Sequence, residues 1–246
     1  MFFIYENQDS RELLRIKEMN NLSSPQRSIE KISVVGRNGD LTIDNGSFEN
    51  FTLEIDCDID AQSTDIEEVS TKLKTWLQKD FSYKKLFVNT TDFYYLAYCS
   101  NKLDISRIAK NFGEVLLQFD CMPFRYVNND NEKIILDTIN KNSTAITNFY
   151  RESFPEFFIE ATGDIKIKIN TQSVELRGIT ENGILSDLII DSEQMNVYRI
   201  NKENNIIINE NNKLFSDFPV LEEGENKISW EGDIKSIKIN PRWNIL

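Results

Sequence analysis

The segment from Phe51 to Asp60 has the most regular pattern in this chain. Apolar residues occupy its odd-numbered positions, and mostly acidic residues occupy the even-numbered ones. Because successive side chains of a β-strand point to opposite faces, this alternation predicts a strand with one apolar and one acidic face. The predicted acidic face consists of Thr52, Glu54, Asp56, Asp58 and Asp60. The apolar face requires a second layer of structure to cover it.

A helix that can provide this layer is predicted between Thr64 and Lys79. Its apolar residues recur at helical spacing and form one stripe. They are Ile66, Val69, Leu73, Trp76 and Leu77. Thr64 and Glu67 have the spacing of a capping box, which favours a helix start at this point. We expect this helix to lie with its apolar stripe on a sheet.

A tight turn is predicted at residues 36–40, Gly-Arg-Asn-Gly-Asp. Glycine adopts positive φ freely, and asparagine and aspartate tolerate it, so this composition is typical of a turn between two strands. The flanking strands are predicted at Ile32–Val35 and Leu41–Ile43.

Other strands of the first half are predicted at Met1–Tyr5, Lys84–Asn89, Phe93–Cys99 and Glu114–Met122. Pro123 either ends the last of these or marks a sheet edge, because proline cannot donate to a strand ladder. Both faces of Phe93–Cys99 are apolar or aromatic, so we expect a neighbouring subunit to cover one of them. The polar run at residues 128–132 predicts a boundary at Asp130, between an α+β domain (1–130) and a second domain (131–246).

The second half shows short alternating segments and no helical period. Its strands are predicted around Ile165–Ile169 and at Val174–Leu176, Leu188–Ile190, Val197–Ile200, Ile206–Ile208, Lys227–Trp230 and Ile234–Ile239. The last two are expected to join through a turn at Gly232. Many short strands separated by turns predict an all-β sandwich. The whole chain is therefore predicted to be mainly β.

The charge balance argues against nucleic-acid binding. The 246 residues carry a formal net charge of −12. Divided after Asp130, the two halves hold 15 and 13 basic residues against 21 and 19 acidic ones. Proteins that bind DNA or RNA through phosphates normally show a basic surface. No specific nucleic-acid binding is therefore expected.

Residues suited to catalysis or metal binding are scarce. Histidine is absent, which removes the commonest general base and zinc ligand. The cysteines Cys57, Cys99 and Cys121 lack CxxC spacing and are interpreted as packing residues. The acidic strand face suggests a cation site, but alternate residues of a strand lie about 7 Å apart and do not converge on one ion. Carboxylate pairs are inevitable among 40 acidic residues. We predict no enzyme activity, cofactor or metal.

Membrane insertion and secretion are not expected from the sequence. No apolar run is long enough to span a bilayer. The apolar start at Met1–Tyr5 lacks the basic residues and cleavage site of a signal peptide. The sequence therefore predicts folding in a cytoplasm.

The order of these elements resembles the distal tail protein family of long-tailed bacteriophages. The first motif is the turn with Gly36, Arg37 and Gly39, followed by the alternating strand and the helix. The later motifs are Phe154-Pro155, Gly224-Glu225-Asn226, Trp230 and the terminal Pro241-Arg242-Trp243. The resemblance covers almost the whole chain in order, although residues 1–33 contribute little to it.

This resemblance implies a structural protein of the virion, located at the tail tip of a phage or of a phage-derived particle and assembled in the host cytoplasm. It implies a homo-hexameric ring made by the first domains, in contact with the tail tube protein and the trimeric tail-hub protein. It also implies a galectin-like β-sandwich as the second domain, which carries or contacts a receptor-binding protein. DNA would pass through the ring. An acidic channel lining by Glu54, Asp56, Asp58 and Asp60 would repel phosphates, whereas a lining by Lys72, Lys74 or Lys84 would contradict this hypothesis.

A second hypothesis is a β-sandwich module that binds carbohydrate of the cell envelope. It predicts an exposed aromatic platform in the second domain. Trp230 alternates with Ile228 and is interpreted as a core residue, whereas Trp243 is either an anchor for the C-terminus or an exposed contact. A galectin sugar site normally uses histidine, which this chain lacks.

Overall fold

The computed structural model describes residues 1–61, 65–128, 133–139, 141–180 and 183–246. The chain divides into two compact units, Met1–Asn128 (with Leu246) and Asn129–Ile245. The boundary predicted at Asp130 lies outside the described residues. Strands dominate both units, so the prediction of a mainly β chain is confirmed.

The first unit is built from ten strands, one α-helix and one short 3-10 helix among its described residues. They are β1 (Phe3–Tyr5), β2 (Gln8–Asp9), the 3-10 helix Ser10–Glu12, β3 (Arg15–Met19), β4 (Arg27–Ile32), β5 (Leu41–Phe48), β6 (Phe51–Asp60), α1 (Ile66–Leu77), β7 (Lys84–Val88), β8 (Phe93–Cys99), β9 (Ile105–Ala109) and β10 (Phe112–Val127). Antiparallel pairing gives a sheet in the order β2-β1-β7-β8-β10-β6-β3. β9 pairs with the start of β10, and β4 and β5 form a separate hairpin.

The strands β6 and β10 form the centre of this sheet. They pair from Asp60 opposite Phe112 to Phe51 opposite Cys121. Both strands alternate, so their odd-numbered residues share one face. The buried residues of this face are Leu53, Ile55, Cys57, Ile59, Val115, Leu117, Phe119 and Cys121. The predicted alternating strand is therefore confirmed.

The helix α1 covers this apolar face, as the sequence predicts. All five residues of its apolar stripe are buried in the same core as the strand residues. Trp76 stacks on Phe3 at 5.6 Å between ring centroids, and its Nε1–H donates to the Tyr5 carbonyl at 2.9 Å. The side chain of Asp65 caps the helix, and Thr64, the predicted cap, lies outside the described residues. In the described ranges no helix has the length and hydrophobicity needed to cross a bilayer.

The strand predicted to end at Pro123 is longer than expected. β10 continues to Val127, and its pairing with β8 shifts in register between Cys121 and Arg125. The predicted strand end was wrong because the missing N–H of proline is accommodated in an irregular stretch of the ladder.

The second unit consists of strands and one short 3-10 helix among its described residues. They are β11 (Ile134–Leu136), β12 (Ser143–Asn148), β13 (Glu156–Ile169), β14 (Gln172–Ile179), β15 (Leu188–Asp191), β16 (Asn196–Ile200), β17 (Ile207–Asn209), the 3-10 helix Asn211–Lys213, β18 (Gly224–Asn240) and β19 (Asn244–Ile245). The long strands β13 and β18 pair along most of their length. One half of this pair is flanked by β12 and β14, and the other half by β11 and β15, with β16 and β17 beyond. The two halves of the second unit therefore share β13 and β18 as their central strands.

The two strands predicted on either side of Gly232 are one strand. β18 runs through this glycine, which has φ +112°, and its register with β13 shifts between Thr162 and Lys166. The predicted turn was wrong because glycine permits a bend here without breaking the ladder. This bend allows the same strand to serve both halves.

Replacing Gly232 with alanine is expected to lower the free energy of unfolding by about 2 kcal/mol, because the left-handed backbone disfavours a side chain. A Cβ atom would also lie 2.8 Å from the Asp164 carbonyl oxygen and 2.9 Å from Ile165 Cγ2. Urea unfolding measures the effect. Gly183→Ala is the matched control, since nothing lies within 4 Å of its Cβ position. Equal losses in the two variants would contradict the assigned strain.

Candidate assembly surfaces

The hairpin of β4 and β5 carries the Gly-Arg-x-Gly motif at its tip. Gly36 and Gly39 have φ values of +83° and +81°, and the Arg37 N–H donates to the Val34 carbonyl at 3.1 Å. The turn is present, but the strand predicted at Ile32–Val35 was wrong, because β4 ends at Ile32. The tip is exposed to solvent, including its two valines.

One face of this hairpin presents three uncovered apolar side chains, beside Glu30, which lies opposite Ile43. Ile32 pairs with Leu41, and Ile43 lies two residues further along the same face. Their exposed fractions are 37%, 40% and 41%. A two-stranded hairpin is only marginally stable alone in water, and exposed apolar patches are typical of protein contacts. The geometry makes this apolar hairpin face (Ile32, Leu41, Ile43) a candidate contact between subunits.

The base of the hairpin is tied to the main sheet of its unit. Phe48 packs edge-on against Phe124 with ring centroids 5.8 Å apart. The Glu49 N–H donates to the Gln26 carbonyl at 2.8 Å. The Arg27 guanidinium pairs with Asp44 across the two strands. These contacts fix where the hairpin emerges.

The acidic face of β6 lies on the side of the sheet opposite α1. Glu54 and Asp60 are exposed, whereas Asp56 and Asp58 are half-buried. The Gln118 side chain donates to Glu54 at 2.7 Å. The structure thus places all four predicted acidic residues on one accessible surface.

A lysine that the sequence analysis missed lies within this acidic face. Lys17 of β3 places its Nζ 2.9 Å from Glu114, 3.2 Å from Asp56 and 3.5 Å from Asp58. The hydrogen bond to Glu114 is the main cause that raises the pKa of Lys17. In the sequence, Arg15 and Lys17 alternate with apolar residues, and this pattern could have indicated a basic strand beside the acidic one.

In the described ranges no group of three or more potential ligands is arranged to hold a metal ion. All three cysteines are buried and free. Burial raises the thiol pKa to about 12 for Cys57 and Cys121. These cysteines are packing residues, as predicted.

The aromatic strand β8 is packed on both sides within its own unit. Tyr95 lies edge-on to Phe51 at 5.3 Å, and Tyr94 stacks on Tyr126 at 5.7 Å. Both Tyr94 and Tyr95 remain half-buried. Phe87 also packs against Tyr94 at 5.7 Å. The cover by a neighbouring subunit that the sequence suggests stays a prediction.

The terminal motif Pro241-Arg242-Trp243 is a clamp within the second unit. Arg242 Nη1 and Nη2 lie 2.6 and 2.8 Å from the two carboxylate oxygens of Asp191, and Nη1 lies 3.3 Å from Glu193. Asp191 is only 1% exposed. Burial favours the neutral form of Asp191, but the hydrogen bonds and charge of Arg242 outweigh it and lower the pKa of this carboxyl. Such a bidentate pair fixes geometry as well as charge.

The two tryptophans of the second unit are both buried. Trp230 is 6% exposed, which agrees with its predicted place in the core. Trp243 is 9% exposed. Trp243 is therefore an anchor rather than an exposed contact. Asn226 of the Gly-x-Asn motif is also buried and hydrogen-bonds the backbone of Glu222 and Gly224. These motif residues hold the fold and form no sugar platform.

Comparison with known proteins agrees with these features. Residues 8–121 match the family described as phage tail protein RIFT-related domain. The whole chain shares its fold with the phage protein SPP1 Dit (gp 19.1), described as a paradigm of hub adsorption apparatus in phages that infect Gram-positive bacteria. The TM-score is 0.73 at 15% identity, covering 100% of this chain and 99% of that one. Comparison with curated proteins finds no match.

Two structures of the phage p2 baseplate in its activated conformation show a more distant likeness. The chain from the strontium form has a TM-score of 0.54 at 9% identity, covering 97% of this chain and 96% of that one. The chain from the calcium form has a TM-score of 0.54 at 10% identity, with coverage of 100% and 97%. The matched proteins are thus components of phage tails. The matched phage tail family at residues 8–121 and the shared fold of the whole chain confirm the resemblance noted in the sequence.

Proposed function

We propose that this chain forms a homo-hexameric ring at the tip of a phage tail. The ring joins the tail tube protein to the trimeric tail-hub protein and leaves a channel for DNA. The observation that carries the proposal is the apolar hairpin face, which remains uncovered within its own chain. In a ring, each copy presents one surface to a different surface of the next, and the contacts close after a fixed rotation.

The acidic face of β6 is the proposed lining of the channel. Glu54, Asp56, Asp58 and Asp60 would repel the phosphates of passing DNA through a field of like charge. The helix α1 lies on the other side of the sheet, so a channel lined by the acidic face excludes Lys72 and Lys74 from the lining. Lys72 already pairs with Glu68 at 2.8 Å. Lys84 pairs with Glu6 and Asp80 at 3.4 and 3.3 Å.

The second unit is proposed to contact or carry a receptor-binding protein. Its buried core is extensive and separate from that of the first unit. Such a core supports a stable attachment module that does not depend on the ring for its fold. The proposed particle location is the virion tail tip.

The double variant Leu41→Glu/Ile43→Glu is expected to abolish ring formation while leaving the monomer folded. Two carboxylates placed in a subunit contact would be desolvated without partners, which costs several kcal/mol per interface. Mass measurement in solution over a wide concentration range, followed by negative-stain imaging of the heaviest species, detects the ring. The wild-type chain is expected to form a hexamer with a central hole.

Thr42→Glu is the matched control for this experiment. Thr42 lies between the two substituted residues but on the opposite face of the same strand, so its variant should still form the ring. A wild-type chain that stays monomeric at every concentration would contradict closure through the hairpin. A ring whose hole is lined by Lys72, Lys74 or Lys84 would contradict the acidic lining and leave the hexamer intact.

A further inference from the structure

The second unit contains a cavity of about 250 Å³ with a buried arginine in its wall. Ile159, Ala161 and Leu188 form its apolar part, and all three are buried. Glu160 and Lys202 lie at its mouth, where both are exposed. The volume is slightly below that of sites for drug-sized ligands, about 300–1,000 Å³. The cavity therefore suits a small polar ligand.

Arg199 of β16 has an incomplete set of hydrogen bonds. It is 6% exposed, on the same side of its strand as the buried Val197. Its Nη1 donates to the Thr180 carbonyl at 3.0 Å, whereas its Nε is buried without a partner. Within the described part of the chain, Nη2 donates no hydrogen bond and the guanidinium forms no ion pair. A buried cation without a counter-charge is costly.

The charges around the cavity favour an anion. Arg199, Lys202 and Lys235 line it, against the carboxylates of Glu160 and Asp187. Asp187 is already paired with Lys238 at 3.3 Å. With Lys235 set aside because it has a partner of its own, the described lining residues leave the cations Arg199 and Lys202 against the carboxylate of Glu160, in a chain whose net charge is −12. The charge at the cavity is therefore opposite in sign to that of the whole chain.

We propose that this cavity binds one oxyanion group, a phosphate or a carboxylate, of a small hydroxylated ligand. Nη2 of Arg199 has no hydrogen-bond acceptor among the described residues, so it can donate a charge-assisted hydrogen bond to the oxyanion. Lys202 adds charge at the mouth. Glu160, which also lines the cavity, offers carboxylate oxygens that can accept from ligand hydroxyls.

The cavity lies within one unit, so the proposal does not depend on ring formation. The same chemistry is offered by free inorganic phosphate, by a glycerol-phosphate polymer and by a uronic acid. The proposal is tested by calorimetric titration of the full chain with sodium phosphate, glycerol 1-phosphate and glucuronate, with glucose and sodium chloride as controls. Saturable binding of at least one oxyanion, at one site per chain, is expected.

Arg199→Gln is expected to weaken this binding at least tenfold, because the oxyanion loses its charge-assisted hydrogen bonds. Lys202→Gln, at an exposed position, should weaken it a few-fold, with an effect that shrinks as salt increases. Lys227→Gln is the matched control, since the Lys227 side chain is exposed and lies outside the cavity. Tighter binding of glycerol 1-phosphate than of inorganic phosphate would point to a polymer as the source of the ligand. Equal affinity for the two would point to the free anion.

Absence of saturable binding for all three oxyanions would overturn the proposal, as would full binding by a folded Arg199→Gln variant. Circular dichroism establishes whether that variant folds. If it does not, the Lys202→Gln variant decides, because unchanged affinity and unchanged salt dependence in this variant would also overturn the assignment. Glucose binding as tightly as glucuronate would also overturn the proposal.

Discussion

Replacing Arg242 with alanine should lower the free energy of unfolding of the second unit by about 3–5 kcal/mol. The variant leaves the carboxylate of Asp191, which is 1% exposed, without its bidentate partner. Removing one member of a buried ion pair is costly because the remaining charge stays desolvated. Urea unfolding monitored by tryptophan fluorescence measures this loss, since Trp230 and Trp243 both lie in this unit.

Lys227→Ala is the control for this variant, because its side chain is 79% exposed and its ion pair with Glu225 is long, at 3.6 Å. Exposed pairs of this kind contribute about 0–1 kcal/mol. A loss in Arg242→Ala no larger than in the control would show that the clamp does not stabilise the unit.

The effect of Arg242→Ala should depend on pH. The folded-state pKa of Asp191 is lowered from its ordinary value of 3.8. The stabilisation from this group is therefore present above about pH 4 and is lost as the pH falls through the folded pKa. The difference in stability between wild type and Arg242→Ala should shrink in that acidic range, because a neutral Asp191 no longer needs the guanidinium.

Replacing Phe119 with alanine should lower the free energy of unfolding of the first unit by about 3–5 kcal/mol. Phe119 is completely buried, with ring centroids 5.6 Å from Phe3 and 5.4 Å from Tyr5. The substitution removes a large apolar side chain and leaves a cavity between the central strands and β1. Scanning calorimetry measures the loss, because it resolves two compact units that need not unfold together.

Phe81→Ala is the matched control, because it makes the same substitution at a side chain that is 86% exposed. Its ring lies edge-on to that of Tyr98, with 6.4 Å between the ring centroids. A change of less than about 1 kcal/mol is expected there. If both variants lowered the same transition equally, the assignment of Phe119 to the central core would be wrong.

Local periodicity was enough to predict the best-defined elements of the fold. The strand Phe51–Asp60 and the helix Ile66–Leu77 repeat every 2 and about 3.6 residues, so their patterns report both type and buried face. Element boundaries were harder to predict. The continuation of β10 past Pro123 and the single strand through Gly232 depend on neighbouring strands, which a local pattern does not reveal.

The functional surfaces were only partly visible in the sequence. The acidic face followed from alternation alone, but the position of Lys17 among its carboxylates depends on the pairing of β3 with β6. The clamp of Arg242 and Asp191 joins residues about 50 positions apart, and the only local signal was a carboxylate directly after the apolar run Leu188–Ile190. The pocket around Arg199 combines several separate segments, so no single motif could have indicated it.

The shared central strands have a consequence for biosynthesis. Strand β13 must wait for β18, since Glu156 pairs with Asn240 and Ile169 with Ile228. Residues Met1–Asn128 make up all of the first unit except Leu246, so this unit can begin to fold while translation continues, as domains generally do from the N-terminus. The second unit cannot close its centre until Asn240 has been made, and until then the isoleucines of β13 are exposed on the nascent chain. That interval is when this protein most needs protection from aggregation by a chaperone.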